Sequence, residues 1–164
     1  VLLPLFQAGG DWRLLLIRRA DVPGDRHSGQ VAFPGGRPEA GDADAAATAL
    51  REAQEEIGLD PARVRLLGRL PPYHTATNYL IEPVVGQIPW PLALRREPRE
   101  VSRIFSIPLA WLAKPTHRWV ERRRLEEWPQ ALPVVYFRRY RGERLWGASA
   151  RISQSLLRVL DLTD

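Results

Sequence analysis

Cysteine is absent from this 164-residue chain, which excludes disulfides, thiolate catalysis and cysteine-based zinc sites. The same absence fits a reducing compartment, and a cytoplasmic location is expected. No apolar run approaches the roughly 18 residues of a membrane span, so no membrane association is expected. Val1–Phe6 is short, lacks a basic flank and reads as a strand rather than as part of a signal peptide. Histidines are few, and His27 has no second histidine at ligand spacing. Lysine is nearly missing: Lys114 is the single lysine among 24 basic residues.

What is present is arginine, giving a net charge of +5. A basic balance favours anionic partners such as phosphates or nucleic acid, and it is equally the mark of an arginine-preferring proteome. Nothing resembles a recognition helix, a zinc finger or an aromatic-studded RNA-binding strand, so no nucleic-acid partner is expected. The apolar fraction of 45% and charged fraction of 26% are those of an ordinary globular protein. The length suits one domain over residues 1–164.

Strands are expected at Val1–Phe6 and Trp12–Arg18, joined by a turn at Gly9-Gly10-Asp11. Others are expected at Gln30–Phe33, Val64–Leu70, Tyr79–Ile88 and Val101–Ile107, and a pair at Trp119–Arg123 and Pro133–Tyr140. Leu94–Glu100 reads as a charged, flexible loop. A short helix is expected over Pro108–Ala113, and a terminal one over Ala148–Leu160 with Ile152, Leu156, Val159 and Leu160 as its apolar stripe. Many strands with a central and a terminal helix predict an α+β fold, an α/β/α sandwich with a mixed β-sheet between helices.

The segment between Asp42 or Asp44, candidate N-caps, and Gly58, a candidate C-cap, reads as a helix. At about 100° per residue, Ala46, Leu50, Ala53 and Ile57 form the stripe expected to be buried. Arg51, Glu52, Glu55 and Glu56 fall within an arc of about 140° on the other side. Carboxylates at that spacing repel. Either the face is simply solvated, or a positive partner offsets the repulsion. Hard oxygen ligands of this kind suit Mg²⁺ or Mn²⁺, with substrate phosphate completing the shell. Upstream, Pro34-Gly35-Gly36 ends a strand and leaves the backbone free to turn a carbonyl toward an ion.

Gly36, Arg51, Glu52, Glu55, Glu56, Gly58 and Leu59 resemble the Nudix box, G-x5-E-x7-R-E-U-x-E-E-x-G-U, in which U is apolar and is Ala53 at its first occurrence. Asp42 stands where the first glutamate is expected, and eight residues rather than seven separate it from Arg51. The stretch LLLIRRADVPGDRHSGQVAFPGG (Leu14–Gly36) is similar to the signature upstream of the box in coenzyme A pyrophosphatases, with Ala20 in place of the usual serine. Pro83-Val84-Val85-Gly86 and Trp146–Ile152 (WGASARI) match that subfamily further, so the resemblance runs along nearly the whole chain.

The resemblance implies a Nudix fold and metal-dependent hydrolysis of a nucleoside diphosphate linked to another group. It implies that Glu52, Glu55 and Glu56 hold Mg²⁺ or Mn²⁺ with the Gly36 carbonyl, and that Arg51 orients Glu52 or Glu55. The general base would be Glu52 or a downstream acid, for which Glu100 is the candidate ahead of Glu82. For coenzyme A or its derivatives the products would be 3′,5′-ADP and 4′-phosphopantetheine. Arg19, Arg26, His27 and Arg37 are candidates to meet the extra 3′-phosphate, or are solvated surface groups. Trp119 and Trp128 could stack on adenine or pack in a core. The competing readings are hydrolysis of ADP-ribose or a dinucleotide, and a catalytically silent ligand-binding regulatory domain. A monomer or homodimer is expected.

Overall fold

The computed structural model describes residues 1–25, 27–75, 78–124 and 130–163. In chain order the elements are β1 (Leu2–Ala8), β2 (Asp11–Arg19), β3 (Val31–Ala32), α1 (Ala45–Ile57), β4 (Arg65–Arg69), β5 (Tyr73–His74), β6 (Leu80–Ile81) and β7 (Val84–Gln87). They continue with β8 (Val101–Pro108), α2 (Leu109–Leu112), β9 (Arg118–Arg123), β10 (Leu132–Phe137) and α3 (Gly147–Val159).

The main sheet is mixed. β1 pairs antiparallel with β2 and parallel with β7, and β7 carries β4 antiparallel on its other side. The far end of β2 takes β3 at Ile17 and Arg18, and β8 pairs with β2 from Arg13 to Arg19. Strand β4 lies at the edge, all of its residues are exposed, and its register with β7 slips between Leu66 and Gly68. Two small ladders, β9–β10 and β5–β6, stand apart from the main sheet.

Side chains in a strand point alternately to its two faces, and here both faces are covered. Leu3, Leu5, Leu14 and Leu16 pack with Val135 and Phe137 of β10 and with Ile152, Leu156 and Leu157 of α3. Leu2, Phe6, Leu15 and Ile17 pack with Ala46, Ala49, Ala53 and Ile57 of α1. This is why LLPLF and LLLI are continuous apolar runs rather than alternating ones. The result is the expected α+β sandwich, a mixed sheet flanked by helices. Among the described residues no helix is long and apolar enough to cross a membrane.

Four expectations need correction. Tyr79–Ile88 is not one strand: it divides into β6 and β7 around Pro83, which has no N–H for a ladder and instead accepts a bond from Leu70 N–H at 3.0 Å. In α1 the buried face includes Ala49 and Glu56, while Leu50 is only half-buried. In α3 the buried line is Ala150, Ile152, Ser153, Leu156 and Leu157; the helix ends at Val159, and Val159 and Leu160 are exposed. The Leu94–Glu100 loop is tied down, since Arg95 N–H donates to Ile57 O at 2.9 Å and Glu97 N–H to Glu56 O at 2.8 Å. These bonds satisfy carbonyls that the end of α1 leaves without helical partners.

Asp44 caps α1 by accepting from Ala47 N–H at 2.9 Å, and Gly58 closes it in a left-handed conformation with φ 65°. A Cβ at Gly58 would also come within 3.2 Å of Arg95 O. Gly58→Ala is therefore expected to cost about 1 kcal/mol and to lower Tm by about 2–4 °C. A thermal melt unchanged from the wild type would refute this account of the C-cap.

Candidate functional site

The acidic side of α1 is organised by one cation. Arg51 Nε lies 3.1 Å from Asp42 Oδ1 and Nη2 lies 3.1 Å from Oδ2, a two-pronged pair. The same guanidinium reaches Glu52 Oε1 at 3.2 Å, Glu55 Oε2 at 3.1 Å and the Arg37 carbonyl at 2.9 Å. Glu39 completes the surround at 3.6 Å. The Arg51 hydrogen bond, with a second from Glu39 N–H, holds the Asp42 carboxyl at about 2. The guanidinium is in turn raised above its ordinary value, first by its bond to Asp42. Asp42 is thus the ion-pair partner of Arg51 and not the helix cap.

Glu56 lies on the same helix but is buried, with 3% of its surface exposed. Its Oε2 accepts from Gly35 N–H at 2.9 Å. Burial pushes its carboxyl up to about 7; the Gly35 bond opposes the shift, and the nearby charges of Glu52 and Glu100 add to it. Burial also raises Glu52, against the pull of Arg51, with Glu55 and Glu100 adding to the rise. Gly36 sits flat against Glu52, so that a methyl group in its place would overlap the carboxylate. Glu55 is more exposed and faces Arg51.

Glu100 comes from the loop docked on the end of α1, and its charge is felt by both Glu52 and Glu56. Its carbonyl accepts from Ala20 N–H at 2.8 Å, which ties this loop to the end of β2.

Gly35 and Gly36 also line a cleft of about 710 Å³. Arg19, His27 and Arg37 line it. Arg19 Nη2 reaches Asp25 at 3.3 Å, while its Nε is buried with no hydrogen-bond partner among the described residues. His27 Nδ1 lies 3.2 Å from Gln30 Oε1, and Arg37 Nη2 donates to the Tyr79 hydroxyl at 2.8 Å. Arg26 and Trp128 lie outside the described residues. Glu82 lines the cleft, whereas Trp119 does not. Trp119 stacks on Tyr136, and Tyr136 stacks in turn on Trp146, which does line the cleft.

The donor set can be tested against a divalent cation. Among the described residues no group of three or more His, Cys, Asp or Glu side chains stands gathered as a ligand shell. Glu52 and Glu55 lean on Arg51. The donor chemistry nevertheless suits a hard cation: clustered carboxylates, two of them, Glu52 and Glu56, raised by burial and by the charge of neighbouring carboxylates, beside a glycine backbone.

Sequence reasoning passed over Tyr73 and Tyr79, which the β5–β6 hairpin brings to the cleft. The available signal was a pair of tyrosines, Tyr73 within and Tyr79 just beyond the turn-rich stretch Pro71–Thr77. From the segment Trp146–Ile152, noted only as a match of letters, Trp146, Gly147, Ala148, Ser149 and Ile152 also line the cleft.

Comparison with known proteins agrees with this architecture. The NUDIX domain family matches residues 1–134. A Photorhabdus laumondii protein described as an uncharacterized Nudix hydrolase, NudL, is 37% identical over 143 residues, covering 87% of this chain and 74% of that protein. The Escherichia coli K12 protein of the same description is 47% identical over 96 residues, 58% of this chain and 50% of its own length. The match to that relative therefore spans about half its length. Among solved structures, a Nudix hydrolase from M. smegmatis, RenU, superposes with a TM-score of 0.57 at 21% identity, over 68% of this chain and 70% of that one. A C. elegans Ap4A hydrolase binary complex gives a TM-score of 0.56 at 16% identity, over 66% and 77%. At these identities the structural likeness bears on the fold alone.

The protonation of Glu56 has a measurable consequence. Folded, it titrates near 7 against an ordinary 4.5. The folded chain therefore binds more protons in that window, so its stability is fully present below pH 4.5 and falls as pH rises through 7. Glu56→Gln removes the ionisation. The variant is expected to be more stable than the wild type at pH 8 by about 2–3 kcal/mol, and nearly equal to it at pH 5. Urea unfolding with chelator present measures both. No gain at pH 8 would rule out a buried, charge-strained Glu56.

Proposed function

The chain belongs to the Nudix family, and from that premise we propose that it hydrolyses the diphosphate of a nucleoside diphosphate linked to a second group. The observation that carries the reading is the Gly35–Gly36 bend. Gly35 donates to Glu56, Gly36 sits against Glu52, and both glycines line a cleft large enough for a nucleotide.

In this reading Glu52, Glu55 and Glu56, with the Gly36 carbonyl, hold Mg²⁺ or Mn²⁺. The ion would supply charge neutralisation on the diphosphate and acidify water at the site. The remaining work falls to the chain's own groups. Glu52 or Glu100 accepts the proton of the attacking water. The water oxygen bonds to one phosphorus, the bond from that phosphorus to the bridging oxygen breaks, and two phosphate monoesters leave. Arg51 holds Glu52 in place, and Asp42 in turn holds Arg51. Arg19, whose Nε has no partner among the described residues, and Arg37 offer positive charge to the substrate phosphates from the cleft.

A narrower reading is coenzyme A or its derivatives, cleaved to 3′,5′-ADP and 4′-phosphopantetheine. It is favoured by the clustering of two separate signature segments, around His27–Arg37 and around Trp146–Ile152, on one cleft. A catalytically silent ligand-binding domain is the alternative, and the intact Arg51, Glu52, Glu55 and Glu56 set argues against it.

The test is a panel of coenzyme A, ADP-ribose and a dinucleotide with Mg²⁺ or Mn²⁺, with products weighed by mass spectrometry. Cleavage of at least one diphosphate is expected, and binding without turnover of any would sink the enzyme reading. Cleavage of ADP-ribose but not coenzyme A would discard the narrower one. Replacing the general base, as Glu52→Gln or Glu100→Gln, is expected to lower kcat by about 10²–10⁴-fold. If neither does, the base lies elsewhere. Glu56→Gln is expected to abolish turnover while the fold persists, and retained activity would refute its metal role.

A further inference from the structure

The cleft is lined by groups of two chemical kinds. Gly35 and Gly36 bring the backbone that meets Glu56 and Glu52, and Phe33, Tyr73, Tyr79, Leu80 and Trp146 bring apolar and aromatic surface. A ligand that carries both phosphate and a flat ring matches this lining.

The aromatic rings are not equally available. Trp146 is already stacked against Tyr136, with the two planes 4° apart. Tyr73 is half-buried and packs against the core of the sheet. Tyr79 is 49% exposed at the end of the β5–β6 turn, and among the described residues no other ring stacks on it. Its companion is Arg37, whose Nη2 bonds the hydroxyl at 2.8 Å while its Cζ stays 5.5 Å from the ring centre. Arg37 thus stands over the ring as well as at its hydroxyl; one guanidinium can occupy only one of a ring's two faces, and the residue keeps 49% of its surface exposed.

Arg37 also sets where that ring stands. It follows Gly36 directly, and its carbonyl accepts from Arg51 Nη2 at 2.9 Å. Arg51 in turn holds Glu52 at 3.2 Å. A continuous series of contacts, Glu52–Arg51–Arg37–Tyr79, therefore spaces the ring from the acidic face of α1.

We propose that Tyr79 is the platform on which the substrate's nucleobase stacks, and that Arg37 is the positioning residue that holds the platform at its distance from the acidic helix. The proposal rests on the nucleoside diphosphate reading above and adds to it the residue that recognises the base. Stacking is indifferent to base identity, since every base has a π-face. The site therefore selects for a nucleoside over a bare diphosphate rather than for one base.

The test compares binding of ADP and of inorganic pyrophosphate by calorimetry with Mg²⁺ present. The wild type is expected to bind ADP more tightly than pyrophosphate. Tyr79→Ala is expected to weaken ADP about tenfold and to leave pyrophosphate within about twofold, while Tyr79→Trp restores ADP binding. If Arg37 acts on the base through Tyr79, the loss in the ADP-to-pyrophosphate ratio caused by Arg37→Ala disappears in the Tyr79→Ala background. Equal losses for both ligands, or no rescue by tryptophan, would overturn the platform. So would a wild type that binds the two ligands equally, which leaves the hydrolase reading standing. A wild type that binds neither ligand would overturn the hydrolase reading, and this proposal with it.

Discussion

The site depends on one guanidinium. Arg51 stands among Glu39, Asp42, Glu52 and Glu55, a surplus of negative charge around a single cation. Its planar fork satisfies Asp42 through two bonds and still has donors for Glu52, Glu55 and the Arg37 carbonyl. Lysine, a point charge on a flexible stem, could not hold these directions together. Because Asp42 and the Arg37 carbonyl both belong to the loop before α1, the same guanidinium fastens that loop to the helix. The orientation of the carboxylates and the course of the backbone beside them are set by one residue.

Glu56 shows the opposite tactic. Among the described residues it has no ion-pair partner, and it lies buried against Gly35, close to two further carboxylates. A carboxyl in that position resists ionisation at neutral pH unless something positive arrives. Natural chains keep such local conflicts where function needs them and compensate elsewhere. Here the compensation is the dense packing of Ala46, Ala49, Ala53 and Ile57 under the sheet, which fixes α1 whatever the charge state of its polar side.

The sequence carried much of this and concealed a definite part. The sandwich was legible because many short apolar segments bounded by turn residues stood with a central and a terminal amphipathic helix; that LLPLF and LLLI are covered on both faces came only with the structure. The identity of the box residues was legible because their spacing is tight. The phase of α1 was not: an apolar leucine at position 50 outranks an alanine at 49 on any wheel, yet the close approach of helix to sheet favours the smaller residue. Nor could a wheel reveal that Glu56 would be covered by a glycine turn from another part of the chain. The docking of Arg95 and Glu97 rests on backbone N–H groups, which leave no mark in side-chain pattern, so the route that brings Glu100 near the helix was hidden. The cleft was hidden for a related reason, since its walls come from segments more than a hundred residues apart.

Strand β4 bears on how this molecule survives at high concentration. It offers an open row of backbone donors and acceptors with Leu66 and Leu67 exposed beside it, the kind of edge on which unwanted sheet extension and aggregation begin. Arg65 and Arg69 stand at its two ends, and the slip near Gly68 spoils the regular spacing that an incoming strand would need. Charge and an irregular register at an edge are features that oppose such pairing, and Arg69 is further held by its ion pair with Asp44, the residue that caps α1.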